Sequence, residues 1–287
     1  MRIAMTYDLR SDYLALGWSP EAAAEFDSEK TIGAIESALR ELGHDVTRVG
    51  RCVELARRFV AGERWDLVFN ICEGAWGRSR EAQVPALCEA FDQPYTFCDP
   101  LTAALTLDKA LAKRVVRDAG LRTPDFLVVE RLADLDALRM SFPVFAKPLA
   151  EGTGKGIDGR SMIEDRATLQ AVCCDLLKRY KQPALVEEYL PGREVTVGIT
   201  GTDREARVVA AMEIQLRDNA ERGGYSYVNK EEWEHRVTLR LVEAGPFRLE
   251  CEALALGAYR VLGCRDAARV DLRADAQGRP CFLEVNP

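Results

Sequence analysis

The sequence predicts an α/β protein assembled from more than one subdomain, and three observations predict it. From Met1 to Asn70 short β-type runs alternate with amphipathic helical segments, the pattern of a parallel sheet covered by helices. The C-terminal stretch instead reads as two strands, Arg269–Arg273 and Cys281–Asn286, joined by the turn signal Asp275-Ala-Gln-Gly278. At 287 residues and 32.0 kDa the chain exceeds what one small core serves, so two or three subdomains are expected.

Arg2–Tyr7 reads as the first strand. Ser28 to Gly43 follows as a helix, with Ser28 as N-cap, Ile32, Ile35, Leu39 and Leu42 on one face, and Gly43 as the stop. Asp45–Val49 is a strand, Val53–Ala61 a helix and Asp66–Asn70 a strand, which completes a first domain expected over 1–100. No G-x-G-x-x-G follows the first strand, so a dinucleotide fingerprint is absent.

A second segment, 101–182, opens with a helix carrying Asp108, Lys109 and Lys113 and contains the apolar strand Pro143–Pro148. Lys147 stands near the end of that strand, where a lysine needs an anionic partner. Glu151-Gly-Thr-Gly-Lys-Gly156 follows, and its three glycines let backbone N–H groups approach an anion closely. Its spacing is not that of a Walker A loop, and a flexible linker has a similar composition. The last segment, 183–287, begins with Ala184–Glu188 and turns through Leu190-Pro-Gly-Arg193 to Glu194. Polar groups at such a strand-to-strand turn suit a purine base, and they equally suit a solvated β-turn.

Alternation in the C-terminal hairpin puts Arg269, Asp271 and Arg273 on one strand face and Glu284 and Asn286 on another. Two carboxylates and an amide then converge. Oxygen-only donors of this kind suit Mg²⁺, which takes further ligands from water and a substrate's phosphates, so ATP is the implied partner. Solvated charges on an exposed hairpin are the competing account. Against it, Val270, Leu272, Leu283 and Val285 flank the two carboxylates, and an unpaired carboxylate in an apolar run is costly to desolvate.

Net charge of −7 and a pI near 5.2 exclude an electrostatic nucleic-acid footprint. No apolar run reaches the ~18 residues a membrane span needs, and no signal-peptide core follows the first strand, so a cytoplasmic protein without a membrane partner is expected. Nine cysteines without repeating spacing give neither a disulfide framework nor a zinc site and read as small buried hydrophobes. The two histidines, His44 and His235, stand in unlike contexts.

Lys109, Phe142-Pro-Val-Phe-Ala-Lys147-Pro, the Glu151–Gly156 loop, Val186-Glu187-Glu-Tyr-Leu190 with Gly-Arg-Glu194, Arg269-Val-Asp271 and Glu284-Val-Asn286 occur in the order seen in ATP-grasp enzymes. The chain most resembles their D-alanine–D-alanine ligase branch, over roughly Asp66 to Pro287, and Pro94–Pro100 with Thr102–Lys109 strengthens the likeness. The resemblance implies an ATP-grasp fold of three subdomains: an N-terminal parallel α/β domain and two α+β lobes enclosing ATP. It implies that Lys109 and Lys147 contact the phosphates, with Glu151, Gly152, Thr153, Gly154 and Gly156 closing over them. Glu187 and the Leu190 backbone would hold the adenine and Glu194 the ribose, while Asp271, Glu284 and Asn286 would ligate Mg²⁺, or Mn²⁺ in its place. Arg269, Lys230 and Thr153 would serve the reacting groups, Lys230 on a loop hinged at Gly223-Gly224, although that lysine reads equally as a solvated loop residue.

The implied reaction is ATP-dependent activation of a small carboxylate as an acyl phosphate, followed by attack of an amine, with amino acids as the expected substrates; a homodimer is one assembly it allows. A regulatory ATP binder and an ATP-grasp phosphotransferase are the alternatives. Departures concern the substrates. The family's Gly-Gly-x-Ser-x-Glu segment is replaced by Tyr7-Asp-Leu-Arg-Ser-Asp12, its His-Gly by Glu73-Gly74, and the tyrosine after its loop lysine by Glu231. The family also continues beyond the residues matching Asn286-Pro287, with a segment that binds the acceptor's carboxylate. Ligase chemistry is thus expected without D-alanine as its established substrate.

Overall fold

Ile3, Ala4, Met5 and Thr6 are all buried in the computed structural model, which describes residues 1–221 and 226–287. A strand covered on both faces belongs in a parallel sheet. Accordingly β1 (Arg2–Tyr7) pairs in parallel with β2 (Asp45–Gly50) on one side and β3 (Leu67–Ile71) on the other. Four helices accompany these strands: α1 (Arg10–Ala15), α2 (Glu29–Glu41), α3 (Cys52–Val60) and α4 (Gln83–Ala90). Helix α2 starts where Ser28 Oγ accepts the Thr31 N–H at 3.1 Å, and it buries Ile32 with Met5 and Val46. Helix α3 packs Leu55 and Phe59 with Ala4, Trp65 and Val68. Together they form a first compact unit, Met1–Ala104. Helix α1 is too short to show periodicity in the sequence. Its Tyr13 stacks on Phe26 with ring centroids 3.9 Å apart and holds Trp18 against its edge at 5.1 Å.

The second unit, Leu105–Pro287, holds two antiparallel sheets. Helix α5 (Pro100–Leu107) leads to α6 (Lys109–Asp118), then β4 (Phe126–Val129), β5 (Val144–Pro148), β6 (Met162–Ile163), α7 (Arg166–Tyr180) and β7 (Ala184–Glu188). These strands form a sheet ordered β4-β7-β5-β6, on which α7 buries Leu169, Cys173 and Leu176. Next come β8 (Glu194–Thr200), β9 (Arg207–Leu216), α8 (Tyr227–Glu231), α9 (Trp233–Arg236), β10 (Val237–Leu241), α10 (Pro246–Val261), β11 (Ala267–Ala274) and β12 (Pro280–Asn286). They form the order β10-β9-β8-β11-β12, with α10 contributing Leu254, Ala255 and Tyr259 to the core. The sequence division at 182/183 differs from this topology, because β7 hydrogen-bonds to β4 and β5 of the earlier sheet. The change of sheet comes between Glu188 and Glu194, across a turn at Pro191 and Gly192 after which the Gly192 N–H donates to Ala274 O at 2.9 Å.

The nine cysteines are thiols rather than disulfides, and seven of them are buried. Among the described residues no helix is long and apolar enough to cross a membrane.

Asp27 carries a pH-dependent cost. Burial first, and the neighbouring Asp8 charge second, push its carboxyl up to about 6. The native state therefore holds a proton that the unfolded chain has released between about pH 4 and 6, so this group's contribution to stability falls as pH rises through that window. Asp27→Asn should raise stability at pH 8 by about 1–2 kcal/mol, allowing for the part of the side chain that stays wet, and leave it unchanged at pH 4. Thermal melts at the two pH values check this; an equal gain at both would refute it.

Candidate functional site

Strand alternation sets the site face of the five-stranded sheet. Val195 and Val197 on β8 and Val270 and Leu272 on β11 point into the core, so Glu194, Thr196, Asp271 and Arg273 point to the opposite face. Asp271 lies across from Thr196 on one side and from Glu284 on the other. On β12 the pairing jumps from Glu284 to Phe282, leaving Leu283 as a bulge. Unbroken alternation would turn Phe282 and Glu284 to the same face. The bulge lets Phe282 bury completely while Glu284 faces a cavity, a re-aiming of side chains that bulges provide beside functional sites.

The other wall comes from the four-stranded sheet and α6. Lys147 on β5 and Glu187 on β7 line the same cavity, and the loop after β5 adds Glu151, Gly154 and Lys155. Lys109 enters from the first turn of α6, whose start is fixed by Asp108 accepting the Leu111 N–H at 3.0 Å. Leu190, Glu194, Lys230, Asp271 and Glu284 complete the set of sequence-selected residues around it.

Cations and carboxylates pair across this space. Glu187 binds Lys147 at 2.7 Å and Lys113 at 2.6 Å, the latter as an ion pair rather than a well-aimed hydrogen bond. Glu284 binds Lys109 at 3.2 Å, Glu194 binds Arg273 at 3.4 Å, and Lys155 pairs with Glu151. Asp271 accepts from Thr196 Oγ1 at 2.7 Å, from both Nε and Nη2 of Arg269 at 3.1 Å, and from Asn286 Nδ2 at 3.4 Å.

Titration follows from these pairs. Burial opposes the charge of Glu284, but Lys109, Lys147 and Lys230 outweigh it and hold its carboxyl far below the usual range. Burial likewise opposes the charge of Glu187, which Lys113 and Lys147 overcome, so its carboxyl is lowered. The Lys147 ammonium is raised despite its burial by Glu187 and Glu284. Glu194 is raised, by burial first, with Arg273 opposing. Lys113, fully enclosed, is pulled down to about 8 by burial, with Glu187 opposing and Lys147 adding to the shift.

Arg269, Gly152, Thr153, Gly156 and Asn286 stand beside the cavity's lining rather than in it. Arg269 and Asn286 face each other on the ladder and reach the site through Asp271. Thr153 adopts a positive φ of 52°, and the turn it makes spends the Lys155 N–H on Gly152 O at 3.0 Å. At Gly156, with φ of 73°, an added Cβ would stand 2.6 Å from Pro148 Cγ, so close packing already requires glycine there. Gly223-Gly224, read as the hinge for Lys230, lies outside the described residues.

Sequence reasoning left Lys113, Lys155, Arg273 and Tyr189 without roles. Lys113 had a signal: it follows Lys109 by one helical turn on the same face as Val116, so both lysines had to enter an apolar layer. Arg273 spans Glu194 and the Tyr189 ring, 5.3 Å from its centroid, a contact no local pattern announces.

Among the described residues no three His, Cys, Asp or Glu side chains are grouped to hold a metal by themselves. Asp271 and Glu284 form a pair with the Asn286 amide beside them, a hard-oxygen set that fits Mg²⁺ when phosphates supply the rest. Lysines opposite such a pair suit those phosphates.

The Lys113–Glu187–Lys147 cluster yields a stability prediction. Glu187→Gln leaves two buried lysines without their carboxylate and should cost about 3–5 kcal/mol. Lys113→Met leaves Glu187 with Lys147 and should cost less, about 1–3 kcal/mol. Urea unfolding of both variants checks the order; the reverse order would show that Lys113 rather than Glu187 organises the cluster.

The model of the D-ala D-ala ligase C-terminus matches residues 115–287. An uncharacterized protein of Sinorhizobium fredii is 34% identical over 77% of this chain, which spans 64% of that relative's length. A D-alanine–D-alanine ligase of Aquifex aeolicus is 31% identical over 90% of this chain and 84% of its own. The crystal structure of the Bacillus anthracis D-alanine–D-alanine ligase complexed with ATP superposes with a TM-score of 0.68 at 19% identity, covering 100% of this chain and 86% of that one. The VanG D-Ala:D-Ser ligase of Enterococcus faecalis does so with a TM-score of 0.70 at 19% identity, over 99% and 89%. These two likenesses establish the fold, and the family match with the Aquifex relative establishes the kinship: the chain belongs to the D-alanine–D-alanine ligase family of ATP-grasp ligases.

Proposed function

We propose that this chain joins a carboxylate to an amine, using ATP to activate the carboxylate as an acyl phosphate. The observation that carries the reading is the facing of Lys109, Lys147, Lys155 and Lys230 with Asp271 and Glu284 around one cavity. Lysines alone suit any anion and carboxylates alone suit any cation. Their combination suits a metal-bound nucleotide.

In this reading the two sheets are the lobes around ATP, and Lys109 and Lys147 exchange their glutamate partners for phosphate oxygens. Glu187 and the Leu190 backbone hold the base, Glu194 the ribose, and the Glu151–Gly156 loop lies over the phosphates with Thr153 at the reacting end. Asp271, Glu284 and Asn286 would hold Mg²⁺, or Mn²⁺, which would offset the charge of the phosphates. The carboxylate substrate attacks the γ-phosphorus and releases ADP. The amine then attacks the acyl carbon, and inorganic phosphate leaves as the amide forms. Arg269, which holds Asp271 by two hydrogen bonds, would turn its guanidinium to the oxygen on which charge develops, and Lys230 would neutralise the transferred phosphoryl group. The relatives' names support amino-acid-like substrates, and the need for ATP supports work in the cytoplasm.

Glu284→Gln keeps the shape but removes the charge that Lys109 and the metal share, and it should abolish most turnover while the circular dichroism spectrum stays unchanged. Near-normal ADP release from that variant would sink the metal assignment. Arg269→Met should spare ATP affinity, measured by titration calorimetry, and slow amide formation by about 10²–10³, as for loss of one oxyanion donor. Lost ATP affinity with normal turnover at saturation would instead make Arg269 a nucleotide anchor.

A further inference from the structure

Arg273 lines the cavity at a point where neither the metal nor the reacting groups need a cation. On β11 it stands two residues beyond Asp271 on the same face, roughly 7 Å further along the strand and toward the Leu190–Arg193 turn. Its neighbour across the ladder is Glu194, whose Oε2 lies 3.4 Å from Arg273 Nη1. Nη2 approaches the Tyr189 hydroxyl at 3.4 Å, and the guanidinium lies 5.3 Å from the centre of that ring. A planar, delocalised cation suits both contacts.

Arg273 thereby touches both ends of the connection between the two sheets, Tyr189 just after β7 and Glu194 at the start of β8. That connection is laced to β11 beside it, since the Gly192 N–H donates to Ala274 O and the Ala274 N–H to Arg193 O, both at 2.9 Å. A Cβ added at Gly192 would stand 2.7 Å from Ala274 Cβ, so the turn closes on β11 without room for a side chain.

Enclosure gives the pair its chemical meaning. Arg273 and Glu194 keep only 15% and 17% of their side-chain surface exposed, and a carboxylate so enclosed is costly to ionise without a cation beside it. Burial first pushes the Glu194 carboxyl up; Arg273 is the strongest opposing influence, ahead of Lys230, while Asp271 and Glu284 add to the rise. An ionised carboxylate accepts from two hydroxyls at once, whereas a protonated one spends part of its capacity as a donor. The vicinal hydroxyls of a ribose call for the ionised form.

We propose that Arg273 is a positioning residue, which holds the Glu194 carboxylate as an acceptor for both ribose hydroxyls and so makes the site prefer a ribonucleotide to its 2′-deoxy counterpart. The proposal rests on the ATP reading of the site, in which Glu194 holds the ribose.

Titration calorimetry of the full chain with Mg-ATP and Mg-dATP tests it. The wild type should bind the ribonucleotide about tenfold or more tightly than the deoxyribonucleotide, as expected of one hydrogen bond to a charged group. Arg273→Met should shrink that ratio to about threefold or less, the range of a neutral hydrogen bond. Arg273→Lys should restore it, because the contact to Glu194 joins one nitrogen to one oxygen rather than a fork. Arg273→Gln serves the same comparison if the methionine variant does not fold. Glu194→Gln should collapse the ratio likewise, and Arg273→Met added to it should change the ratio no further. A role in packing alone would weaken both nucleotides equally; an unmoved ratio, or one that lysine fails to restore, overturns the proposal. Collapse in Glu194→Gln with the ratio kept in Arg273→Met leaves the ribose at Glu194 and removes Arg273 from its recognition. A wild type indifferent to the 2′-hydroxyl overturns the proposal with the ATP reading intact, and a wild type that binds neither nucleotide overturns both.

Discussion

Glu187 between Lys113 and Lys147 is the constraint on which the second unit's chemistry depends. Two ammonium groups and one carboxylate are buried together, and none could remain charged there alone. The cluster ties three elements: α6 through Lys113, β5 through Lys147 and β7 through Glu187. Lys113 also donates to the Phe282 carbonyl and to Thr123 Oγ1, both at 3.1 Å, which extends the tie to β12. Since Phe282 borders the bulge that turns Glu284 toward the cavity, the position of the carboxylate on one sheet is coupled to the lysines on the other. A hydrogen-bonded charge network has little freedom to relax one member alone.

That coupling explains why some of the site was legible in sequence and some was not. Lys147 could be singled out because an apolar strand cannot hold a lysine without an anion, and the structure supplies one in Glu187. Asp271 and Glu284 could be paired because a hairpin places its strands side by side. Their ladder register, however, depends on the Leu283 bulge, and one extra residue in a strand leaves no mark in an alternation this short. The likeness in six ordered motifs carried the fold further than periodicity did. Periodicity gave the N-terminal strands and α2 to within a residue or two, but assigned β7 to the later segment, because chain order does not say which neighbours a strand will choose.

Lys113 and Arg273 show the same limit from another side. Each is a common surface residue by type, and Lys113 is enclosed and Arg273 partly buried beside a partner about 75 residues or more away in the chain: Glu187 for one and Glu194 for the other. Burial of a charge is a property of the pair. Local composition reports only one member at a time.

On the ligase reading, these pairs also bear on catalysis. Lys109 and Lys147 meet glutamate oxygens, so a phosphate would replace one anion by another at positions already surrounded by protein. The ammonium groups would then undergo no new burial when the nucleotide enters. Their orientation is set during folding by α6 and β5, and the reorganisation that water would otherwise require at the reacting groups is largely complete beforehand. The released glutamates have separate destinations. Glu284 lies beside Asp271 and is free to share a cation with it, whereas Glu187 retains Lys113, a partner that lies outside the cavity lining and keeps the buried carboxylate compensated. A third, buried lysine is therefore what lets the second one leave Glu187 for a phosphate without stranding a charge.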